Sequence, residues 1–295
     1  MKRNYGTVYR RELDRRGYAR RNYSKRVATF VDDLWKIPRG STVLVPSNDA
    51  GNFMGCLDAR ETFPDAIAYG TKDSFSEISR ALRVPYKCVE KTSPTGEMVY
   101  DDFDDLLDVS RPAIVCADAD AGDDVRKIAG ILQRYNMIHK AHVHVDATMS
   151  GFVTPFVKHG MPIGGIVRTA SASFGFFETP FPCGVYINIC KNERHRIDTA
   201  YAAAFLKTVI IDPERDVVRC LETADRLVAG MRSVGLGAKK KGIRVFLDRS
   251  IPEDIVRRWN LAAGPSMIVV PSVTNEVVDA FVRELNSHVP SKNGR

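Results

Sequence analysis

The sequence predicts an α/β protein with a mainly parallel sheet covered on both faces, followed by a small α+β C-terminal domain. Short apolar runs alternate with segments of helical periodicity between about residues 42 and 190, the pattern of repeated βαβ units. One of these runs, residues 142–146, alternates in polarity and ends in Asp146, as a strand ending in a carboxylate would. After Arg196 the pattern changes to longer amphipathic helices separated by short strands.

The first half of the predicted sheet begins after an amphipathic helix over residues 26–35, in which Val27, Phe30 and Val31 share one face. Residues 47–52, Ser-Asn-Asp-Ala-Gly-Asn, read as a turn and a helix start. The elements expected in this half are strands over 42–46, 66–69, 86–89 and 113–117, and helices over 53–60, 76–82 and 101–107.

The second half of the sheet follows a helix over residues 123–135, whose Val125, Ile128 and Leu132 lie on one face. Strands are expected over 142–146, 165–170 and 184–189. We therefore predict a basic N-terminal arm over 1–26, a large domain over 27–195 and a small domain over 196–295. The small domain should contain helices over 200–209, 216–234, 252–259 and 274–285, and strands over 242–247 and 266–270.

Composition is that of an ordinary globular protein, with 295 residues of which 44% are hydrophobic. No stretch approaches the 18 or so apolar residues of a membrane-spanning helix, and the first residues lack the apolar core of a secretory signal. The six cysteines form no C-x-x-C pair, which favours buried free thiols in a reducing compartment. We expect a cytoplasmic protein without a membrane span.

Positive charge is concentrated in the N-terminal arm. Residues 1–26 contain ten Lys or Arg and two acidic residues, whereas the whole chain has a net charge of only +7. Such a segment suits nucleic acid, an acidic membrane surface or an acidic partner protein. The alternative is a solvated, partly helical lead-in, and the sequence leaves both open.

Four motifs resemble segments of a known family, and they occur along the chain in the same order as in that family. Residues 144–156 read H-V-D-A-T-M-S-G-F-V-T-P-F, and residues 179–185 read T-P-F-P-C-G-V. Residues 96–102 (G-E-M-V-Y-D-D) and 259–262 (W-N-L-A) complete the set. These segments resemble the histidine/serine decarboxylase branch of the group II pyridoxal-phosphate (PLP) decarboxylases. The resemblance implies the aspartate-aminotransferase-like fold, PLP fold type I, with a large domain and a small C-terminal domain.

The resemblance also implies a set of cofactor contacts. In the family a carboxylate pairs with the pyridine nitrogen, a lysine forms a Schiff base with the cofactor, and a helix N-terminus holds the phosphate. Asp146 matches the carboxylate and His144 precedes it in the same motif. Ser47 and Asn48 lie in the segment that corresponds to the phosphate loop.

Several matched positions depart from that pattern. Gly175 stands at the Schiff-base lysine position, Phe174 replaces the preceding histidine, and residues 160–190 contain no lysine. Asp49 brings a negative charge to the phosphate loop. No histidine precedes residue 139, so Phe75 is the candidate for stacking on the cofactor ring. We therefore expect no catalytic residue of the family type, no metal site and no bound PLP.

Three hypotheses about function follow. The first is a non-catalytic homologue that pairs with itself or with an active decarboxylase paralogue, as a stabilising or regulatory subunit. The second is an enzyme of changed chemistry, which uses the old pocket for another ligand. Its candidates are the acids and histidines at strand ends, namely Asp118, Asp120, Asp123, Asp124, His142, His144 and Asp146, whose spacing matches no zinc pattern. The third is a binding protein that works through the basic arm.

Overall fold

The chain divides into two compact units, residues 1–212 and 213–295, in a computed structural model. The structure describes residues 27, 29, 31, 42–45, 48–92, 96–148, 151, 153, 169–175, 184–188, 213–259, 261 and 266–288. The predicted arm over 1–26 and the predicted boundary between residues 195 and 196 lie outside these residues. So do the predicted helix over 200–209 and most of the one over 26–35, of which Val27 and Val31 are helical and buried.

A seven-stranded sheet organises the first unit, as the sequence predicted. Its strands lie in the order β1-β7-β6-β5-β4-β2-β3. The strands β3, β2, β4, β5 and β6 are parallel, and β7 runs antiparallel to both β6 and β1. The bounds are β1 Thr42–Val45, β2 Ile67–Gly70, β3 Tyr86–Cys88, β4 Ala113–Asp118, β5 Ala141–Asp146, β6 Thr169–Gly175 and β7 Gly184–Asn188.

This topology brings the carboxyl ends of β2, β4 and β5 to one edge of the sheet. Such an edge is where ligands bind in open α/β folds, because loops of adjacent parallel strands leave a crevice there. The strands β4 and β5 are buried along their whole length. The near-continuous apolar sequence of β4 fits a strand that is covered on both faces. In β5 the alternating histidines are buried together with the valines.

Besides the helical residues around Val27 and Val31, four α-helices of the described part of this unit accompany the sheet. The helix α1 packs on β6 and β7 and buries Asn52, Gly55, Cys56 and Ala59, which are spaced three or four residues apart. Asp124 caps α4, since its side chain accepts a hydrogen bond from the backbone nitrogen of Arg126. The bounds are α1 Asn48–Thr62, α2 Asp73–Ala81, α3 Tyr100–Leu106 and α4 Val125–Arg134.

The strand β6 differs from the sequence prediction. It is described over Thr169–Gly175, whereas the apolar run predicted a strand over 165–170. Residues 170–173 of this strand are small and alternate Ala with Ser, so neither β-branched side chains nor a run of apolar residues marked its centre. Small residues suit this place, because Ser171 and Ala172 are fully buried in a strand on which α1 packs.

The second unit, residues 213–295, has the small α+β architecture that the sequence predicted for the C-terminal part of the chain. Its antiparallel sheet has the order β10-β9-β8, with β8 Ala238–Lys241, β9 Arg244–Leu247 and β10 Ser266–Ile268. The helices α5 Pro213–Ser233 and α7 Asn275–His288 pack against each other, and α6 Glu253–Arg258 follows β9. The strand β8 was not predicted, because its sequence A-K-K-K has three exposed lysines.

Among the described residues, no helix is both long enough and apolar enough to cross a membrane. The described cysteines are free thiols, of which Cys56, Cys116 and Cys220 are buried as expected, whereas Cys88 is exposed.

Candidate functional site

Two buried carboxylates end neighbouring strands at the carboxyl edge of the large sheet. Asp118 is the last residue of β4 and Asp146 the last of β5, and the two are paired in the parallel register. Only 6% of Asp118 and 3% of Asp146 is exposed. Two adjacent carboxylates removed from water need a cation or several hydrogen-bond donors, since burial otherwise favours their protonated forms.

Both oxygens of Asp146 are satisfied within the chain. Its Oδ1 accepts hydrogen bonds from the backbone nitrogen of Thr148 at 3.0 Å and from the Thr148 hydroxyl at 2.5 Å. Its Oδ2 accepts from Asn52 Nδ2 at 3.0 Å and from Lys72 Nζ at 2.9 Å. Burial acts to raise the pKa of Asp146, but the charge of Lys72 and the hydrogen bonds outweigh it, so the pKa lies below its usual value.

Lys72 is the functional-site residue that the sequence analysis missed. It lies two residues after the end of β2, and its ammonium lies 2.9 Å from Asp146 Oδ2 and 3.2 Å from Asp118 Oδ1. Burial acts to lower its pKa, but the charges of Asp146 and Asp118 prevail and raise that pKa above its usual value. The amine is therefore a cation at neutral pH, which is the unreactive form for nucleophilic attack.

The backbone of Lys72 is also held in place. Its carbonyl oxygen accepts hydrogen bonds from the backbone nitrogen of Phe75 and from the hydroxyl of Tyr86, at 3.1 and 3.2 Å. The sequence contained a signal for this residue, because a charged residue in the loop after a buried parallel strand lies at the ligand-binding edge of the sheet. The spacing of the family's Schiff-base motif does not include this position.

The loop after β4 is organised by its own acids. Asp118 Oδ1 accepts hydrogen bonds from the backbone nitrogens of Asp120 and Ala121, at 3.0 and 3.1 Å. Asp123 accepts from the backbone nitrogens of Met98 and Asp118, both at 2.7 Å. Burial raises the pKa of Asp123 to about 6. The acids predicted to line a pocket are therefore largely engaged in holding the loop itself.

A chain of buried hydrogen bonds leads from His142 to Asp146. His142 Nε2 lies 2.8 Å from Ser171 Oγ, which lies 2.9 Å from His144 Nδ1. His144 Nε2 lies 2.9 Å from Asn52 Oδ1. Burial lowers the pKa of His142 to about 3 and that of His144 to about 4, so both rings are neutral at pH 7.

The direction of each bond in this chain follows from Asp146. A carboxylate only accepts, so Asn52 presents its amide nitrogen to Asp146 and its oxygen to His144. His144 must then carry its proton on Nε2 and accept from the Ser171 hydroxyl at Nδ1. Ser171 in turn accepts from a proton on Nε2 of His142. One charged acid thus sets the tautomers of two histidines.

Of the residues predicted for the cofactor, Asp146 and His144 are brought together by β5 and Asn52. Asn48 is the first residue of α1, next to the carboxyl end of β1, while Ser47 lies outside the described residues. Gly175 ends β6 and is paired with Gly184 of β7. The side chain of Phe174 is outside what the structure describes.

Phe75 does not lie where a ring-stacking residue was expected. Its side chain is fully buried in the apolar cluster with Cys56, Ala59 and Ile114. It meets the ring of His144 edge-on, with the ring centres 6.0 Å apart. Phe75 therefore supports His144 from the core, which corrects the expectation from its place in the sequence.

The described residues depart from the family's cofactor contacts at three points. Asp146 Oδ2 accepts a hydrogen bond from the ammonium of Lys72, where the family pairs this carboxylate with the pyridine nitrogen. Gly175, the residue that the motif resemblance matches to the Schiff-base lysine, has no side chain. Asp49 adds an exposed acid to the first turn of α1, where the family holds a phosphate. These residues do not fit PLP as the family binds it.

Metal chemistry finds no support in the same neighbourhood. Across the part of the chain that the structure describes, no group of three His, Cys, Asp or Glu residues is arranged to hold a metal ion.

Solved structures of PLP enzymes share this fold. L-Methionine decarboxylase of Streptomyces sp. 590 superposes with a TM-score of 0.72 at 16% identity, covering 90% of this chain and 83% of the enzyme. Catharanthus roseus tryptophan decarboxylase gives a TM-score of 0.70 at 14% identity, covering 96% and 80%. At these identities the likeness establishes the fold, which is PLP fold type I.

Sequence relatives place the chain more closely, although no family model matches it. Serine decarboxylase 2 of Oryza sativa subsp. japonica is 28% identical over 308 residues, covering 90% of this chain and 65% of the relative. Histidine decarboxylase of Morganella morganii is 30% identical over 205 residues, covering 64% and 54%. The chain is thus a homologue of the serine and histidine decarboxylases, group II PLP-dependent enzymes, and spans less than two thirds of these relatives.

Proposed function

We propose that the chain is a non-catalytic homologue of the serine and histidine decarboxylases, which acts as a dimer partner or regulatory subunit. The observation that carries the proposal is the ion pair between Lys72 Nζ and Asp146 Oδ2, at 2.9 Å. It engages the acid that would have to keep the cofactor's ring nitrogen protonated. Without that acid the ring is a poor electron acceptor, so decarboxylation loses its driving group.

A replacement of the Schiff-base lysine by Lys72 is the main objection to this proposal. In PLP the aldehyde carbon lies across the ring from the nitrogen. An amine that is ion-paired with Asp146 would lie at the nitrogen end of the ring and could not reach the aldehyde carbon. The raised pKa of Lys72 also keeps that amine protonated. Both points favour a structural role for Lys72 and the absence of bound PLP.

The proposed partner is a second subunit of the same fold. Enzymes of fold type I are usually dimers with active sites at the subunit interface, so an inactive chain can still supply an interface. We infer either a homodimer or a heterodimer with an active decarboxylase paralogue. The basic segment over residues 1–26 offers a second contact, for nucleic acid or an acidic protein.

The first test is an absorbance spectrum of the purified chain with PLP, before and after borohydride reduction, with peptide mapping of any labelled lysine. We expect no reducible band and no labelled residue, together with no release of carbon dioxide from L-histidine or L-serine. A band that maps to Lys72 or any other single lysine, with turnover, would overturn the proposal.

The second test measures oligomeric state by light scattering with and without PLP. We expect a dimer whose mass is unchanged by PLP and insensitive to salt. A monomer that remains a monomer when mixed with the active paralogue would contradict the role as a partner. Loss of nucleic-acid binding on deletion of residues 1–26, with strong salt dependence, would instead favour a binding protein that works through its arm.

An enzyme of changed chemistry is the second candidate. It is favoured by the position of Lys72, whose side chain is 28% exposed above two buried carboxylates at a ligand-binding edge. Proton NMR of L-histidine and L-serine incubated with the chain in the absence of PLP would decide it. Substrate loss that a Lys72→Met variant abolishes would support this second candidate.

A further inference from the structure

Lys72 joins three strands of the sheet through charge. The residue follows β2, and its ammonium contacts the terminal carboxylates of β4 and β5, at 3.2 Å from Asp118 Oδ1 and 2.9 Å from Asp146 Oδ2. These strands are hydrogen-bonded neighbours in the order β2, β4, β5. A single cation therefore links the carboxyl ends of three adjacent parallel strands.

The two carboxylates differ in what else supports them. Asp146 has neutral donors on both oxygens, from Asn52 and Thr148. Asp118 has the backbone nitrogens of Asp120 and Ala121 on Oδ1, the same oxygen that faces Lys72. Neutral donors solvate an anion but do not cancel its charge, and two anions side by side in a poorly hydrated place repel each other.

We propose that Lys72 is a built-in counter-ion that takes the place of the cofactor's ring-nitrogen cation at Asp146, so that the chain itself supplies the cation at this edge of the sheet. The inference rests on the proposed loss of PLP chemistry, although its test uses no PLP. In a PLP-binding relative, the cation opposite this carboxylate arrives with the cofactor. Here it arrives with the polypeptide, and the fold needs no ligand to complete it.

Shortening the side chain of Lys72 should leave space for a cation from solution. Lys72→Ala removes three methylene groups and the ammonium, and it leaves a cavity faced by Asp118 and Asp146. The missing atoms correspond to n-propylammonium. This cation should bind the variant in that cavity and raise its unfolding temperature. In the wild-type protein the side chain of Lys72 fills the same space, so the cation should not bind there.

The experiment is thermal unfolding of wild type, Lys72→Ala and Lys72→Met at pH 7.5, each with n-propylammonium chloride or sodium chloride at equal ionic strength. We expect both variants to unfold roughly 5–10 °C below wild type, since each leaves buried carboxylates without their cation. Propylammonium should recover most of the loss in Lys72→Ala. It should recover little in Lys72→Met, whose longer side chain fills the cavity.

Lys127→Ala is the matched control, because the ammonium of Lys127 lies over the ring of Tyr100, 4.6 Å from its centre, away from the paired acids. It should show no response to propylammonium. If Lys72→Ala does not fold, expression and refolding with propylammonium replace the unfolding measurement, and Lys72→Arg must fold without it.

The inference would be overturned if Lys72→Met unfolds at the same temperature as wild type. It would also be overturned if propylammonium raises the unfolding temperature of Lys72→Ala no more than sodium does. Neither result touches the proposed function, which fails instead if borohydride labels a lysine in wild-type protein treated with PLP.

Discussion

The two units of the chain handle charge in opposite ways. At the carboxyl edge of the large sheet, Asp118 and Asp146 are buried and share one lysine. In the small unit the ion pair between Arg226 and Asp279 joins α5 to α7 with both side chains substantially exposed. The first arrangement lies at the edge where open α/β folds bind ligands. The second is a solvated surface contact.

An ion pair therefore has different consequences for stability in the two units, because it is buried in one and exposed in the other. A buried charge network cannot exchange its partners for water, so each missing group leaves another unsatisfied. An exposed pair regains water when broken. If this contrast is right, changes around His144 and Asp146 should be costly and pH-dependent, and changes at the surface of the small unit should be slight.

The largest expected effect comes from Gly55→Ala in α1. A Cβ atom at this position would overlap Nδ1 and Cε1 of the His144 ring, which is buried and hydrogen-bonded on both nitrogens. We expect a loss of roughly 3–5 kcal/mol in the free energy of unfolding, measured by urea denaturation.

Gly130→Ala in α4 is the matched control, since it is also a helical glycine but a Cβ there would meet nothing within 4 Å. It should stabilise the protein by about 0.5–1 kcal/mol through helix propensity. Equal effects at the two glycines would show that the helix does not approach His144 as described.

The second-largest effect should come from acid, which destabilises the buried hydrogen-bond network. The pKa values of His142 and His144 are about 3 and about 4 in the folded protein, against 6.5 for an ordinary histidine. The unfolded chain therefore takes up more protons below pH 6.5, and the stability contributed by the neutral rings is lost as the pH falls. Asp123, with its pKa of about 6, opposes this trend, because its protonation favours the folded state.

From pH 7 to pH 5 the net loss should be roughly 2–3 kcal/mol in the free energy of unfolding. Urea denaturation at several pH values measures it. Nitrogen-15 NMR of the imidazoles should show both rings neutral at pH 5, with the proton of His144 on Nε2. Unchanged stability across this range, or a charged His144 at pH 5, would contradict the network.

Sequence patterns predicted the sheet far better than they predicted the site. The strands β2, β4 and β5 begin and end within one residue of their predicted bounds, because buried apolar runs are a strong signal. The strand β6 was predicted to end at residue 170 but continues to Gly175, and β8 was missed, since small residues and lysines carry little strand signal.

The site depended on contacts between distant segments. Asp146 was identified from its motif, but Lys72 is 74 positions away in sequence, and Asn52 is 94 positions away. Motif spacing gives no information about which side chain from another strand end will reach a carboxylate. The order of the strands gives it, and that order is a property of the folded chain.

Ser171→Ala tests the centre of the network with a smaller expected effect. The Ser171 hydroxyl bridges His142 and His144, so its removal leaves Nε2 of one ring and Nδ1 of the other without this partner. We expect a loss of about 2 kcal/mol in the free energy of unfolding at pH 7, the usual penalty for buried polar groups left unpaired. Ser110→Ala, at an exposed turn in the same unit, is the control and should cost much less.

The smallest expected effect is at Arg226 in the small unit. Its guanidinium donates to both oxygens of Asp279, at 2.7 and 2.6 Å, which is good geometry. Geometry alone would make Arg226→Ala look as costly as a change at Ser171, but water replaces the lost partner at this exposed site. We expect the shift in the unfolding midpoint to be smaller than that of Ser171→Ala and to shrink further in about 1 M salt, where exposed charges are screened. A large, salt-independent loss at Arg226 would remove the contrast between the units, because it would mean that exposure does not decide what an ion pair contributes here.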